Sequence, residues 1–86
     1  MKIEKKTWPK EFQAVLEGRK KFDLRLADFK INEGDILVLK EFNPETKSYT
    51  GRILEKKVSY ILKTKDLQHY PKEEMEKFGF QIMSLE

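Results

Sequence analysis

Ile36-Leu37-Val38-Leu39 is apolar at both parities, so as a strand it presents no face to water. A strand of that kind belongs in the middle of a sheet, covered on both sides. The polar cluster "NPETKS" follows it, and extended character resumes from Tyr49 to Leu62. Residues 36–42 and 49–62 are therefore expected to pair as a hairpin. In the second arm Leu54, Val58, Tyr60 and Leu62 share one parity and Glu55, Lys57 and Ser59 the other. Whatever else the chain forms has to be arranged around this pair of strands.

Residues Ile3 to Lys6 read as a short first strand. "TWPKEFQAVLEG" reads as a helix: Trp8, Phe12, Val15 and Leu16 form an apolar stripe, Pro9 suits the first turn, Thr7 or Trp8 caps it, and Gly18 stops it. Lys21 to Leu26 alternates strictly, which puts Phe22, Leu24 and Leu26 on the expected core face and Lys21, Asp23 and Arg25 on the other. A turn follows at Asn32-Glu33-Gly34-Asp35, where Gly34 takes positive φ. "KTKDLQHYPKEEMEKFG" is a long polar connection with one helical turn after Pro71, and "FGFQIMSLE" closes the chain as a strand with Phe80, Ile82 and Ser84 on one side. Eighty-six residues make one domain, 1–86. The fold class expected is mainly β with helices (α+β), a small mixed β-barrel with its N-terminal helix packed on it. A core this thin is expected to take up most of the aromatic residues.

The absence of cysteine excludes a disulfide framework, a thiolate nucleophile and cysteine-ligated zinc. The single histidine, His69, cannot build a His-based metal site alone and reads as a surface residue; no metal or cofactor is expected. No apolar run approaches the roughly 20 residues that span a bilayer, and "MKIEKKTWPK" lacks the apolar centre of a signal peptide. A soluble, cytoplasmic protein without a membrane partner is expected. Net charge is +3 and the isoelectric point about 9.1, just inside the range that points to nucleic acid. The first 25 residues hold eight cations against Glu4, Glu11, Glu17 and Asp23, whereas acids gather in "PKEEMEK". A phosphate-binding face should lie away from that acidic segment.

"GRKKFDLR", Gly18 to Arg25, has the spacing Gly-x-Lys-x-x-Asp-x-Arg. On a strand Asp23 and Arg25 share a face about 7 Å apart, and Lys20 at the helix-to-strand junction reaches the same place. A base or phosphate there would meet two cations and one acceptor. The same alternation also describes a solvated surface, and the pattern alone does not choose. Trp8 and Tyr49 are the candidate stacking aromatics, against the plainer readings that Trp8 packs on Phe12 and Tyr49 ends a strand half exposed. Arg52, after Gly51, is either a phosphate contact or an exposed arginine beside a bulge glycine. Lys56-Lys57 and Lys63-x-Lys65 read as solubilising positions on strand ends.

"GRKKFDLR" resembles the Gly-x-Lys-x-x-Glu-x-Arg signature of ASCH domains, members of the PUA-like superfamily of RNA-associated β-barrels. "TWPKEFQAVLEGRKKFDLR", "INEGDILVLKEFNPETKSYTGR" and the terminal "GFQIMSL" resemble a small uncharacterised ASCH-like family of bacteria and their phages. The resemblance spans about residues 6–60 and the last strand. It departs at two places: the signature's acid is Asp23, and "MKIEKK" stands where that family often has a histidine. In ASCH members similar to amidohydrolases acting on acetylated cytidine, the position of Asp23 is a nucleophilic threonine, a role that aspartate does not reproduce unaided.

The resemblance implies a PUA-like barrel with a cleft beside the first helix, where Lys20, Asp23, Arg25, Arg52, Tyr49 and Trp8 bind single-stranded RNA or a nucleotide-like ligand. No catalytic residue is assigned on that reading. The first alternative is a small hydrolase, an amidohydrolase on modified nucleosides or a ribonuclease, with Lys20 and Asp23 in the chemistry. The second is a protein-interaction adaptor without nucleic-acid affinity.

Overall fold

The hairpin organises the molecule. In the computed structural model, which describes residues 1–67 and 79–86, β3 (Ile36–Asn43) and β4 (Ser48–Lys63) pair antiparallel. Leu37 and Leu39 are fully buried on one face and Val38 nearly so on the other, as the doubly apolar run requires. β4 has 16 residues, enough to serve two neighbours. Its first part holds β3, and its second part pairs antiparallel with β5 (Phe80–Leu85). β1 (Lys2–Thr7) lies parallel to β3, and β2 (Phe22–Leu26) lies antiparallel to β5. A short 3₁₀ turn, Thr64–Asp66, follows β4.

The helix is α1 (Pro9–Leu16), entered from an extended Trp8 with Pro9 in its first turn, and Gly18 turns the chain away at φ +81°. Neither Thr7 nor Trp8 supplies a side-chain cap. Only half of the predicted stripe is covered. Phe12 and Val15 join Ile31, Leu37, Leu39, Val58, Met83 and Leu85 in the core, with Ile3, Phe29, Leu54 and Ile61 packed around them. Trp8 and Leu16 stay exposed.

Three further expectations are corrected. Among the described residues the strands do not close into a barrel: they form a five-stranded sheet in the order β1-β3-β4-β5-β2, with β1 and β2 as its two edges. Where a barrel would have a backbone ladder at about 4.8 Å, a side chain crosses between these edges: Arg25 donates from Nη2 to Thr7 Oγ1 at 3.1 Å. Second, the parity assigned to β4 fails beyond Val58, because the register with β5 shifts between Val58 and Tyr60. One extra residue there exchanges the faces. Val58 and Ile61 point to the core, and Tyr60 and Leu62 point to water.

The third correction concerns β2, which is turned inside out relative to its hydrophobic pattern. Phe22, Leu24 and Leu26 are 48%, 52% and 40% exposed, while Asp23 is 4% exposed. The register explains it. Met83, paired with Asp23, belongs to the core face of β5, whereas Ser84, Ile82 and Phe80 pair with the three apolar residues on the opposite face. Phe80, Ile82 and Ser84 do share a side, as expected, and with Tyr60 and Leu62 they extend the apolar outer plane. The expectations for His69 and for the "PKEEMEK" acids fall outside the described residues. No described helix is long and apolar enough to cross a membrane.

Candidate functional site

An inward-facing charged strand needs counter-charges, because an unpaired buried carboxylate is costly. β2 supplies them from its own signature. Arg25 Nε donates to Asp23 Oδ2 at 2.6 Å, and Lys20 Nζ stands 4.0 Å from Asp23 Oδ1 and 3.6 Å from Glu11 Oε1. Lys20 and Arg25 are themselves largely covered, with side chains 17% and 21% exposed. The charges bridge the seam between the two sheet edges: Thr7, the last residue of β1, accepts from Arg25, and Glu11 leans over from the first turn of α1.

A cleft of about 260 Å³ opens above this network, lined by Lys6, Thr7, Trp8, Glu11, Lys20, Asp23, Leu24 and Arg25. Trp8 is 62% exposed at its wall and so does not take the plainer packing role beside Phe12. A second groove of about 420 Å³ continues along the β1 edge, bounded by Glu4, Lys5, Lys6, Arg25, Lys40 and Tyr49. Its cations lie close to aromatic faces: Lys6 Nζ is 4.4 Å from the centre of the Phe42 ring, and Lys40 Nζ is 4.8 Å from that of Tyr49. Lys40 also pairs with Glu4 at 3.5 Å, and Tyr49 packs edge-on against Phe42. The two hollows share Lys6 and Arg25.

Of the six residues expected from the sequence, Lys20, Asp23, Arg25 and Trp8 meet in one cleft and Tyr49 stands in its neighbour. Arg52 is set apart. It holds nearly buried Glu41 through two hydrogen bonds of 2.9 and 2.8 Å, reaches Gln13 Oε1 at 3.1 Å, and places its guanidinium 4.8 Å from the centre of the Phe12 ring. Thr50 also donates to Glu41, at 2.6 Å. Together Arg52 and Thr50 lower the Glu41 carboxyl from 4.5 to about 2, against the opposing effect of burial, and Glu41 raises the Arg52 guanidinium. Gly51, at φ +97°, lies opposite the register shift between Lys40 and Phe42, so the plainer reading of "GR" as a bulge glycine beside an arginine fits this place.

The sequence does not mark Thr7, Lys6, Glu11, Lys40 or Glu41 as site residues. The usable signal was "KKTW": two lysines and a hydroxyl directly before a helix start lie on the edge that faces β2. Among the described residues no three His, Cys, Asp or Glu side chains converge as a metal site would require.

No curated protein matches the chain. Residues 3–73 match the family described as a domain of unknown function, DUF3850, and the chain therefore belongs to that family.

Proposed function

We propose that the protein binds single-stranded RNA, or a nucleotide-like ligand, in the seam cleft between β1 and β2, the role to which its ASCH-like signature points. The observation that carries this reading is the inversion of β2. Burying Asp23 with two cations while leaving Phe22, Leu24 and Leu26 in water is a poor arrangement for stability alone. Local departures of that kind are characteristic of sites kept for function. Lys20 and Arg25 supply charge-assisted donors for phosphate, Asp23 orients them, and Trp8 offers a face on which a base stacks. Asp23, occupied by Arg25 at 2.6 Å, acts as the organiser of the pair and not as a base. A cytoplasmic setting belongs to the same proposal.

The test is a titration of end-labelled single-stranded RNA with the wild type, the Lys20→Ala/Arg25→Ala variant and Trp8→Ala, at low and moderate salt, each sample also run on a denaturing gel. Wild-type binding that weakens with salt and is lost in both variants, with intact RNA on the gel, supports the reading. Circular dichroism checks that the double variant is folded, and exposed Trp8 keeps the test open if it is not. Equal binding by all three proteins, or none by the wild type, overturns it. RNA cut by the wild type and spared by the double variant would make the protein a hydrolase.

A further inference from the structure

Lys20 faces two hollows. On one side is the seam cleft; on the other is a third hollow of about 400 Å³ between the end of α1, the start of β2 and β4, lined by Val15, Gly18, Lys21, Lys56, Leu85 and Glu86. At the opposite end of the seam, Lys6 and Arg25 join the cleft to the β1-edge groove. Three hollows thus adjoin in series, and the residue or residues at each junction are cations.

The pairing of charges along the series differs from place to place. Glu4 is engaged by Lys40, Glu11 by Lys20 and Asp23 by Arg25. Lys6, Lys21 and Lys56 form no salt bridge among the described residues. Cations without a salt-bridge partner among the described residues therefore line both the β1-edge groove and the third hollow, and Glu86, itself exposed, is the one acidic residue among the described lining of the third hollow. A ligand with one phosphate would be satisfied in one hollow. Cations repeated through three suit a ligand whose negative charge repeats along its length, which single-stranded nucleic acid provides.

On the reading of the seam cleft given above, we infer that the cleft is the middle of a longer track: the ligand is an oligonucleotide that runs from the β1-edge groove, through the seam, into the hollow at Lys21 and Lys56. Lys56 and Lys57 give an internal comparison, since neighbours on a strand point to opposite faces and Lys57 lines none of the three hollows.

The experiment measures fluorescence anisotropy of labelled oligouridylates, a dimer, a tetramer and an octamer, with the wild type, Lys56→Gln and Lys57→Gln over a range of salt. Affinity is expected to rise with length up to the octamer. Lys56→Gln should weaken octamer binding roughly fivefold and reduce its logarithmic salt slope by about 0.7, the contribution of one phosphate on a single strand. The dimer should be insensitive to Lys56→Gln, and Lys57→Gln should match the wild type throughout. A dimer bound as tightly as the octamer, or identical behaviour of the two lysine variants, overturns the track while leaving the seam cleft standing. Failure of every length to bind the wild type would remove the seam reading and the track together.

Discussion

Asp23 and Glu41 are both 4% exposed, and the fold neutralises them for different ends. Glu41 is sealed by Arg52 and Thr50 away from the seam cleft, and its lowered carboxyl value makes it a stability element with a defined pH range. Because the folded value lies below the unfolded one, its contribution is complete above about 4.5 and is lost as the pH falls towards about 2. Glu41→Gln is expected to destabilise the protein at neutral pH and to flatten its loss of stability through that acid range, as read by urea unfolding at a series of pH values. Parallel acid profiles for variant and wild type would exclude the assignment. Gln81 is a different case: it is fully buried, its Nε2 donates to the Phe29 carbonyl at 3.4 Å, and its Oε1 finds no partner among the described residues. Gln81→Met, similar in volume, removes that unmet acceptor and is expected to stabilise by about 1 kcal/mol in the same assay.

At the scale of elements, the turns depend on glycine for two separable reasons. Gly34 needs positive φ but has open space around its missing side chain, whereas a Cβ at Gly79 would stand 3.0 Å from Thr64 Oγ1 and 3.2 Å from the Lys65 amide nitrogen. Gly34→Ala should cost about 1 kcal/mol, the backbone strain alone. Gly79→Ala should cost about 2 kcal/mol or more, since it also displaces the backbone that follows β4. Equal losses in denaturant midpoint would contradict this. The hairpin, the helix and the turn at Asn32–Asp35 were legible in the sequence because each is signalled locally, by apolar runs, Pro9, Gly18 and Gly34. The sidedness of β2 was not. Alternation defines two faces but not which one is covered, and that depends on β5, more than fifty residues away in the chain. The bulge after Val58 likewise leaves no mark in the alternation of β4, so alternation alone groups Tyr60 and Leu62 with core-facing Val58. Lys20, Asp23 and Arg25 lie within six residues of one another in sequence and stand together despite the inversion of β2, whereas Arg52, on β4, is drawn away to Glu41.

At the scale of the molecule the open seam between β1 and β2 accounts for the place of the cleft, since the unpaired edges of the described sheet leave room that a closed ladder would fill. The same inversion that turns charge inward leaves Phe22, Leu24, Leu26, Tyr60, Leu62 and Phe80 exposed on a continuous outer face. This has a practical consequence for anyone melting the protein. Environment-sensitive dyes such as anilinonaphthalene sulfonate light up on apolar surface, so the native protein is expected to fluoresce with them before any heating, and a dye-based melting curve will start from a high baseline. The chain's single tryptophan is no substitute: Trp8 is already 62% exposed when folded, so its emission should shift little on unfolding. Circular dichroism of the sheet is the optical signal that follows the fold, and tryptophan emission is free to report on whatever enters the seam.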